Sequence, residues 1–324
     1  MHTCTALLGP VIAICGLLMS APGFAQYPTK PIRVLIADAP GSAPDTITRV
    51  VGDKLGALLG QPVVVEPRTG SNGNIAMEVV AKSTPDGHTL VFCADSMIVI
   101  NPHIYSRMGI DTLKDLVPVA PLAAQNNFYL SVHPSVPVKN FQEFIEYAKN
   151  VNPPLAYASA GNGSQHQMAM EMLKLVAGIN LVHVPYKGGA PAAVATIGGE
   201  VAAMFSGAST GAQIRAGRLR GLAATGSKRS ALFPDLPTIG EFYPGYQLST
   251  WLGLFGPAGL PETALARLRA EINKALAMQD VKDRLGAAGG LEPWIATPQE
   301  FGERIRADYD KYGKLIREIG VKVD

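Results

Sequence analysis

Cysteine is almost missing from this 324-residue chain: Cys4, Cys15 and Cys93 are the only three. Charge is nearly balanced, with 28 Lys and Arg against 26 Asp and Glu, or 28 − 26 = +2. The first 25 residues carry no Lys, Arg, Asp or Glu at all. The few cysteines exclude a disulfide framework and a cysteine-built metal site. The even charge gives no footing for nucleic acid or for a strongly charged membrane surface. Fold stability must therefore come from an ordinary apolar core, which a chain of this length can bury in one or two domains. Thirty-four Gly and 25 Pro in an apolar sequence suggest many tight loops rather than disorder.

The uncharged N-terminus sets the expected compartment. An apolar run from Ala6 to Met19 is interrupted by Gly9, Pro10 and Gly16, and ends in Gly23-Phe24-Ala25. It is shorter than the roughly 20 apolar residues a spanning helix needs. Small residues at −3 and −1 are the mark of a secretory signal peptide cleaved after Ala25. Ile14 before Cys15 is too large for a lipoprotein signal. Cleavage at Ala25 leaves Cys93 as the lone cysteine and places the mature chain in the periplasm.

Further along, short runs rich in Val, Ile and Leu alternate with helix-period segments. Strands are expected at Ile32–Ala37, Pro62–Glu66, Thr89–Cys93, Asn127–Val132, Leu155–Ala158, Leu181–Val184, Val201–Ser206 and Leu219–Ala224. Asp45–Leu59 has Ile47, Val50, Val51, Leu55, Leu58 and Leu59 on one face of a helix, and Phe141, Phe144, Ile145 and Ala148 repeat the spacing after Asn140. Such alternation predicts parallel sheets covered by helices. Strands are scarce in the C-terminal third, where Glu262–Met278 reads as a helix. Another helix opens at Thr297-Pro298-x-Glu300, with an N-cap, Pro at N1 and a capping-box Glu at N3. Two α/β domains with the chain passing between them are expected.

Three strand-to-helix junctions have the composition of ligand loops. They are Ala39-Pro40-Gly41-Ser42-Ala43-Pro44-Asp45, Ser159-Ala160-Gly161-Asn162-Gly163-Ser164, and Ser206-Gly207-Ala208-Ser209-Thr210-Gly211. Glycine lets backbone approach a ligand, and a helix N-terminus offers free N–H groups to an anion. Gly, Pro and Ser also crowd ordinary turns, and Asp45 serves equally well as a helix cap. Three such loops in open sheets favour a binding site, because ligands gather beyond the carboxyl ends of strands.

Enzyme motifs fail on order and completeness. Gly207-Ala208-Ser209-Thr210-Gly211 fits the G-x-S-x-G nucleophile elbow. In that hydrolase fold a His follows the Ser, yet His2, His88, His103, His133, His166 and His183 all precede Ser209. The histidines are scattered, with no H-E-x-x-H and no Cys/His cluster, so no metal is expected. Gly161-x-Gly163 lacks the third Gly of a dinucleotide loop. No cofactor and no catalytic constellation emerge.

Several longer matches then fall in a consistent order: Tyr27-Pro28-Thr29-Lys30-Pro31-Ile32-Arg33, Ala39-Pro40-Gly41 with Asp45, Gly70-Ser71-Asn72-Gly73-Asn74-Ile75 and Pro85-Asp86-Gly87-His88-Thr89-Leu90. Pro185-Tyr186-Lys187-Gly188-Gly189-Ala190, Pro234-Asp235-Leu236-Pro237-Thr238 with Glu241, and Trp251-x-Gly253-Leu254-Phe255-x-Pro257 follow. As a set they resemble the substrate-binding proteins of tripartite tricarboxylate transporters, the Bug receptors. The resemblance implies a two-domain periplasmic binding protein, a type II-like clamshell with the ligand cleft between its domains. The first domain would combine residues 26–124 with 225–324, and the second would span 125–224. It implies a monomer that is not an enzyme, takes a small organic acid, does not bind nucleic acid, and delivers its ligand to membrane transporter subunits. The alternatives are a sensory receptor for the same ligands and, against the histidine order, a serine hydrolase.

The site residues that follow are Asp38, Pro40, Gly41, Ser42 and Asp45 from the first loop. Ser159, Gly161, Asn162, Gly163, Ser164, Tyr186, Ser206, Ala208 and Ser209 come from the second domain. Three positions depart from the family pattern. Asp38 stands where Phe or Tyr is usual, Ser42 replaces the second Gly of Pro-Gly-Gly, and Gln167 replaces a His. Asp38 is expected either to favour a ligand with a donor or positive group beside its carboxylate, or to turn into solvent or pair with a base such as Arg33 or Lys187.

Overall fold

The computed structural model describes residues 27–37, 43–288 and 290–323. The signal segment and the loop from Asp38 to Ser42 lie outside the described residues.

The first element among the described residues is a strand buried from both sides. In β1 (Ile32–Ile36), Ile32, Val34 and Ile36 face one apolar cluster and Leu35 the opposite one. Alternate side chains of a strand point to opposite faces, so a strand apolar on both needs helices on both. α1 (Ala43–Leu59) covers the first face through Ile47, Val50, Val51, Leu55 and Leu59, and returns the chain to β2 (Val63–Pro67). α2 (Asn74–Ala81) covers the second with Ala76, Met77 and Val80. β3 (Thr89–Ala94) runs into two short helices, α3 (Asp95–Val99) and α4 (Asn101–Ile104), and β4 (Leu116–Gln125) completes this part of the first sheet.

The chain then crosses to a second sheet. β5 (Tyr129–Val132), α5 (Phe141–Asn150), β6 (Ala156–Ser159), α6 (Gln165–Ala177) and β7 (Val182–Pro185) follow in order. α7 (Gly189–Ile197), β8 (Ala203–Ser206), α8 (Gly211–Arg215) and β9 (Arg220–Ala224) complete that half. It crosses back into β10 (Thr250–Pro257), α9 (Glu262–Ala277), α10 (Gln279–Ala287), β11 (Glu292–Pro293) and α11 (Pro298–Ile319). Thr225 stitches both crossings together. It is fully buried, its hydroxyl accepts from Phe128 N at 2.9 Å and donates to Leu248 O at 2.7 Å, and its own N–H reaches Phe128 O.

Strand order is β11-β4-β10-β3-β1-β2 in one sheet and β7-β6-β8-β5-β9 in the other. The expectation of parallel sheets needs correction, because both are mixed. β10 is antiparallel to β3 and β4, and β5 is antiparallel to β8 and β9. Each strand beside a crossing enters its sheet reversed, since no crossover helix returns the chain to the starting edge. β4 also escapes a pattern reading, because Pro118 and Pro121 interrupt its ladder. They are tolerated where β4 is effectively an edge: β11 pairs only with Ala123 and Ala124, and the register against β10 shifts beside both prolines.

The capping box expected at Thr297 forms, Asn140 adds a cap that was not expected, and Asp45 sits inside α1 rather than at its cap. Asn140 Oδ1 accepts from Glu143 N at 2.9 Å at the start of α5. At α11, Thr297 Oγ1 accepts from Glu300 N while Glu300 accepts from Thr297 N. Twenty-two residues of α11 then lie across the first sheet, with Phe301, Ile305, Tyr312 and Ile316 turned inward. The Phe301 ring centroid is 5.2 Å from Trp251, 5.7 Å from Phe255 and 5.4 Å from Trp294. Trp251 Nε1 donates to Asp308 Oδ2 at 2.9 Å, which keeps the indole polar edge satisfied beneath the helix. Phe301→Ala should cost about 3–5 kcal/mol, as expected for an emptied aromatic site. Chemical denaturation of wild type and variant is the measurement.

Candidate ligand-binding cleft

Loops at the carboxyl ends of the strands from both sheets meet. The junction between β6 and α6 shows why its sequence is glycine-rich. Gly161 has φ +123° and Gly163 φ +77°, a region that disfavours any side chain. A Cβ at Gly163 would also run into Ile104 of the first sheet's α4. Ser164 is the N-cap of α6: its hydroxyl donates to Gly161 O at 2.7 Å and accepts from Gln167 N. Asn162, between the glycines, is exposed.

Ser159, expected to meet the ligand, is fully buried and shapes the loop instead. Its Oγ lies 2.6 Å from His183 Nε2 and 3.1 Å from both N and O of Gly161. Gln167 Oε1 accepts from Gly163 N at 2.8 Å, which turns its amide nitrogen toward His183 Nδ1 at 3.3 Å. An amide donor on Nδ1 leaves the imidazole proton on Nε2, so His183 donates to Ser159. The serine proton then goes to Gly161 O. A Ser–His pair at this spacing suggests a nucleophile and its base, but the proton order is the reverse of what activation requires. Burial lowers the pKa of His183 and so favours this neutral form.

The neighbouring loops are fixed with equal economy. Tyr186 N donates to Ser159 O and Gly188 N to Ala160 O, which holds the entry to α7 beside the Ser159–Ser164 loop. Ser206 is buried, with its Oγ 2.6 Å from Thr210 Oγ1. Ala208 and the exposed Ser209 follow in a 3₁₀ turn. A Cβ on Gly290, ahead of β11, would lie 2.5 Å from Ala208 Cβ, so this turn touches the first sheet's side. A cavity of about 730 Å³ opens beside the two crossings, lined by Gln125, Asn127, Lys228, Arg229 and Glu292 among others. Of the expected site residues that are described, only Ala208 lines it, so it lies beside the described loops.

On the first sheet, Asp45 lies inside α1, buried and paired with Arg49 at 2.9 Å. Asp38, Pro40, Gly41 and Ser42 fall outside the described residues. Sequence reading missed the turn before α2, where Ser71 and Asn72 both have φ +47°. Non-glycine residues in that region cost on the order of 1 kcal/mol or more each, and such strain gathers at functional sites. The turn is pinned by fully buried Asn101, which accepts from Asn72 Nδ2 at 2.7 Å and donates to Asn74 Oδ1 at 2.8 Å. A Cβ on Gly73 would strike Met97 of α3 and lie 3.2 Å from Ala37 Cβ, so this turn sits beside the end of β1.

The two halves are bonded across the cleft by a group that sequence reading also missed. Asp95, the first residue of α3, is fully buried. Its Oδ2 accepts from Gln165 Nε2 of α6 at 2.8 Å, and its Oδ1 from Thr250 Oγ1 and Ser96 N at 2.7 Å each. Gln165 Oε1 in turn accepts from Tyr312 OH at 2.9 Å. Burial raises the carboxyl pKa to about 7, against the hydrogen bonds from Thr250 and Gln165, which lower it. A carboxylate directly after a strand was the available signal, since ligand sites form at that edge.

Known proteins share this fold. Residues 47–321 match the model of the tripartite tricarboxylate transporter family receptor. Protein BugT of Bordetella pertussis is 33% identical over 322 residues, 98% of each chain. A Rhodopseudomonas palustris protein, Rpa4515, solved with adipate, superposes with TM-score 0.82 at 29% identity, covering 91% of this chain and 99% of that one. MatC of Rhodopseudomonas palustris, solved with bound malate, gives TM-score 0.77 at 27% identity, covering 90% of this chain and all (100%) of that one.

Asp95 offers a direct test of the cross-cleft bond. Its folded pKa lies above the usual carboxylate value, so between about pH 4 and 7 the folded state holds more protons than the unfolded one. Its contribution is most favourable below the unfolded pKa and is lost as pH rises through the folded one, on the order of a few kcal/mol. In Asp95→Asn the Gln165 amide can reverse, with Tyr312 OH turned to accept. That variant should gain stability relative to wild type as pH rises from 4 to 7, measured by urea denaturation at each pH.

Proposed function

Because the chain belongs to the tripartite tricarboxylate transporter receptor family, we propose that it captures a small organic carboxylate between its two sheets and delivers it to membrane transporter subunits. The observation that carries this reading is the meeting of glycine-rich strand ends and helix N-termini from both sheets, bonded across by Asp95 and Gln165. An N-terminus such as that of α6 presents N–H groups and a partial positive charge, and so holds an anion without a cationic clamp. Neighbours solved with adipate and with malate support a carboxylate as the ligand.

In this reading the first domain comprises residues 26–124 and 225–324, and the second 125–224. The two crossings, from Gln125 to Tyr129 and from Ala224 to Thr250, support that division. The ligand loops are those around Asp38–Asp45, Gly161–Ser164, Tyr186 and Ser206–Ser209, with the strained Ser71–Asn72 turn added. Ser159 acts behind them as a support. The protein works as a binding protein in the periplasm and not as an enzyme. Among the described residues no helix is long and apolar enough to cross a membrane.

Protein purified natively from the periplasm should release an organic acid detectable by mass spectrometry. Adding that acid at a hundred times its Kd should stabilise the fold by about 2.7 kcal/mol. Gly163→Ala, which forces a side chain into a left-handed position against Ile104, should weaken calorimetric binding at least about tenfold, a loss of about 1.4 kcal/mol. A native preparation free of any acid, with no carboxylate raising the melting temperature, would refute the proposal.

A further inference from the structure

One imidazole at the carboxyl edge of the second sheet takes no part in the bonding described above. His166, the second residue of α6, is half-buried and has no hydrogen-bond or ion-pair partner among the described residues. The other described histidines are all engaged. His88 accepts from Thr29 N, His103 meets Tyr309 O, His133 bonds Ser135, and His183 bonds Ser159 and Gln167.

Two contacts locate the His166 ring. It stands edge-to-face with Phe128, at 5.3 Å between centroids and an interplanar angle of 83°. A Cβ built on Gly189, the first residue of α7, would lie 3.7 Å from its Nε2 and 3.8 Å from its Cε1. Phe128 belongs to the apolar cluster that α6 covers, whereas α7 covers the opposite face of the same sheet. A ring touching both must lie over the sheet's carboxyl edge, where the cleft loops emerge. Burial pushes its pKa down to about 4, so at neutral pH one ring nitrogen donates and the other accepts.

We propose that His166 contacts the bound acid and sets specificity, its Nε2 edge hydrogen-bonding the ligand through the space that the absent side chain of Gly189 leaves open. The inference rests on the carboxylate reading of the cleft and deepens it. Ser159, Ser164, Ser206 and Gln167 already spend their polar groups on the protein. An acid can therefore bond to His166 without breaking an internal bond. A neutral ring that both donates and accepts suits an acid bearing a second polar group, either a hydroxyl or another carboxylate. A ring nitrogen without a protein partner also gains from a ligand that supplies one.

Calorimetry with malate, succinate, adipate, glutamate and benzoate would test this on wild type, His166→Phe, His166→Gln and Gly189→Ala. The ring ¹⁵N signals of wild type, followed during titration with the tightest acid, provide a readout that no folding defect can imitate. The His166→Phe change should raise Kd about tenfold for the hydroxy or dicarboxylic acids and little for benzoate. His166→Gln should recover part of that loss. Gly189 has an ordinary helical backbone with room for a methyl, so Gly189→Ala should fold normally yet weaken binding by covering Nε2. The His166 ¹⁵N shift should move on titration. Unchanged affinities in His166→Phe and Gly189→Ala, with a static ring signal while wild type binds an acid, would overturn the role of His166 and leave the carboxylate reading intact. No binding of any of the five acids by wild type would overturn both.

Discussion

A carboxylate buried with three donors and no ion pair holds the two halves of this molecule in register. Asp95 ends one sheet's strand, Gln165 begins the other sheet's helix, and their bond leaves each amide and carboxylate atom a defined partner. Leaving a buried carboxylate unpartnered costs far more than a neutral hydrogen bond gains. The relative placement of α3 and α6 is therefore strongly constrained, and so are the loops these helices begin. The donors also restrict the field of the charge. Each oxygen is directed into Gln165, Thr250 or Ser96, and burial that raises the pKa to about 7 leaves the group partly neutral near neutral pH.

The cleft itself is built by spending polar groups internally. Gly161 and Gly163 supply the backbone angles, Ser164 caps the helix, and Gln167 with His183 pins Ser159 behind the loop. Such a loop loses little further freedom on binding, which is the main cost that a preorganised site avoids. Strain at Ser71 and Asn72 serves the same end on the other side, held by the buried amide of Asn101. An anion would then be met by N–H groups already aimed, with no cationic side chain to reorganise.

Much of this was legible in the residues, and the failures have physical causes. The amphipathic spacing of α1 and α5 and the capping box of α11 were readable because each is decided within a few residues. β4 was not, since its prolines signal a break unless one knows that β11 pairs with only its last residues. The mixed direction of both sheets depends on the two crossings, a long-range property that no local pattern encodes. Ser159 was expected to meet a ligand, because a serine between strand and glycine looks the same whether its hydroxyl faces outward or meets His183. Asp95 drew no reading from the sequence. Its partners lie 70 and 155 residues away.

Internal satisfaction has a consequence for selectivity. A cleft in which Ser159, Ser164, Ser206 and Gln167 are committed to its own shape varies its ligand through the groups left over. Backbone N–H groups at a helix start recognise a carboxylate of any acid alike, so they supply affinity without much discrimination. Discrimination must come from side chains that have a free polar edge and a fixed direction. Such groups are few, because each one costs desolvation until a ligand meets it. His166 satisfies both conditions: Phe128 fixes the plane of its ring, and the glycine at 189 keeps its edge uncovered. The shared frame would then bind carboxylates as a class, while substitutions at one or two such positions redirect it among acids without disturbing the fold.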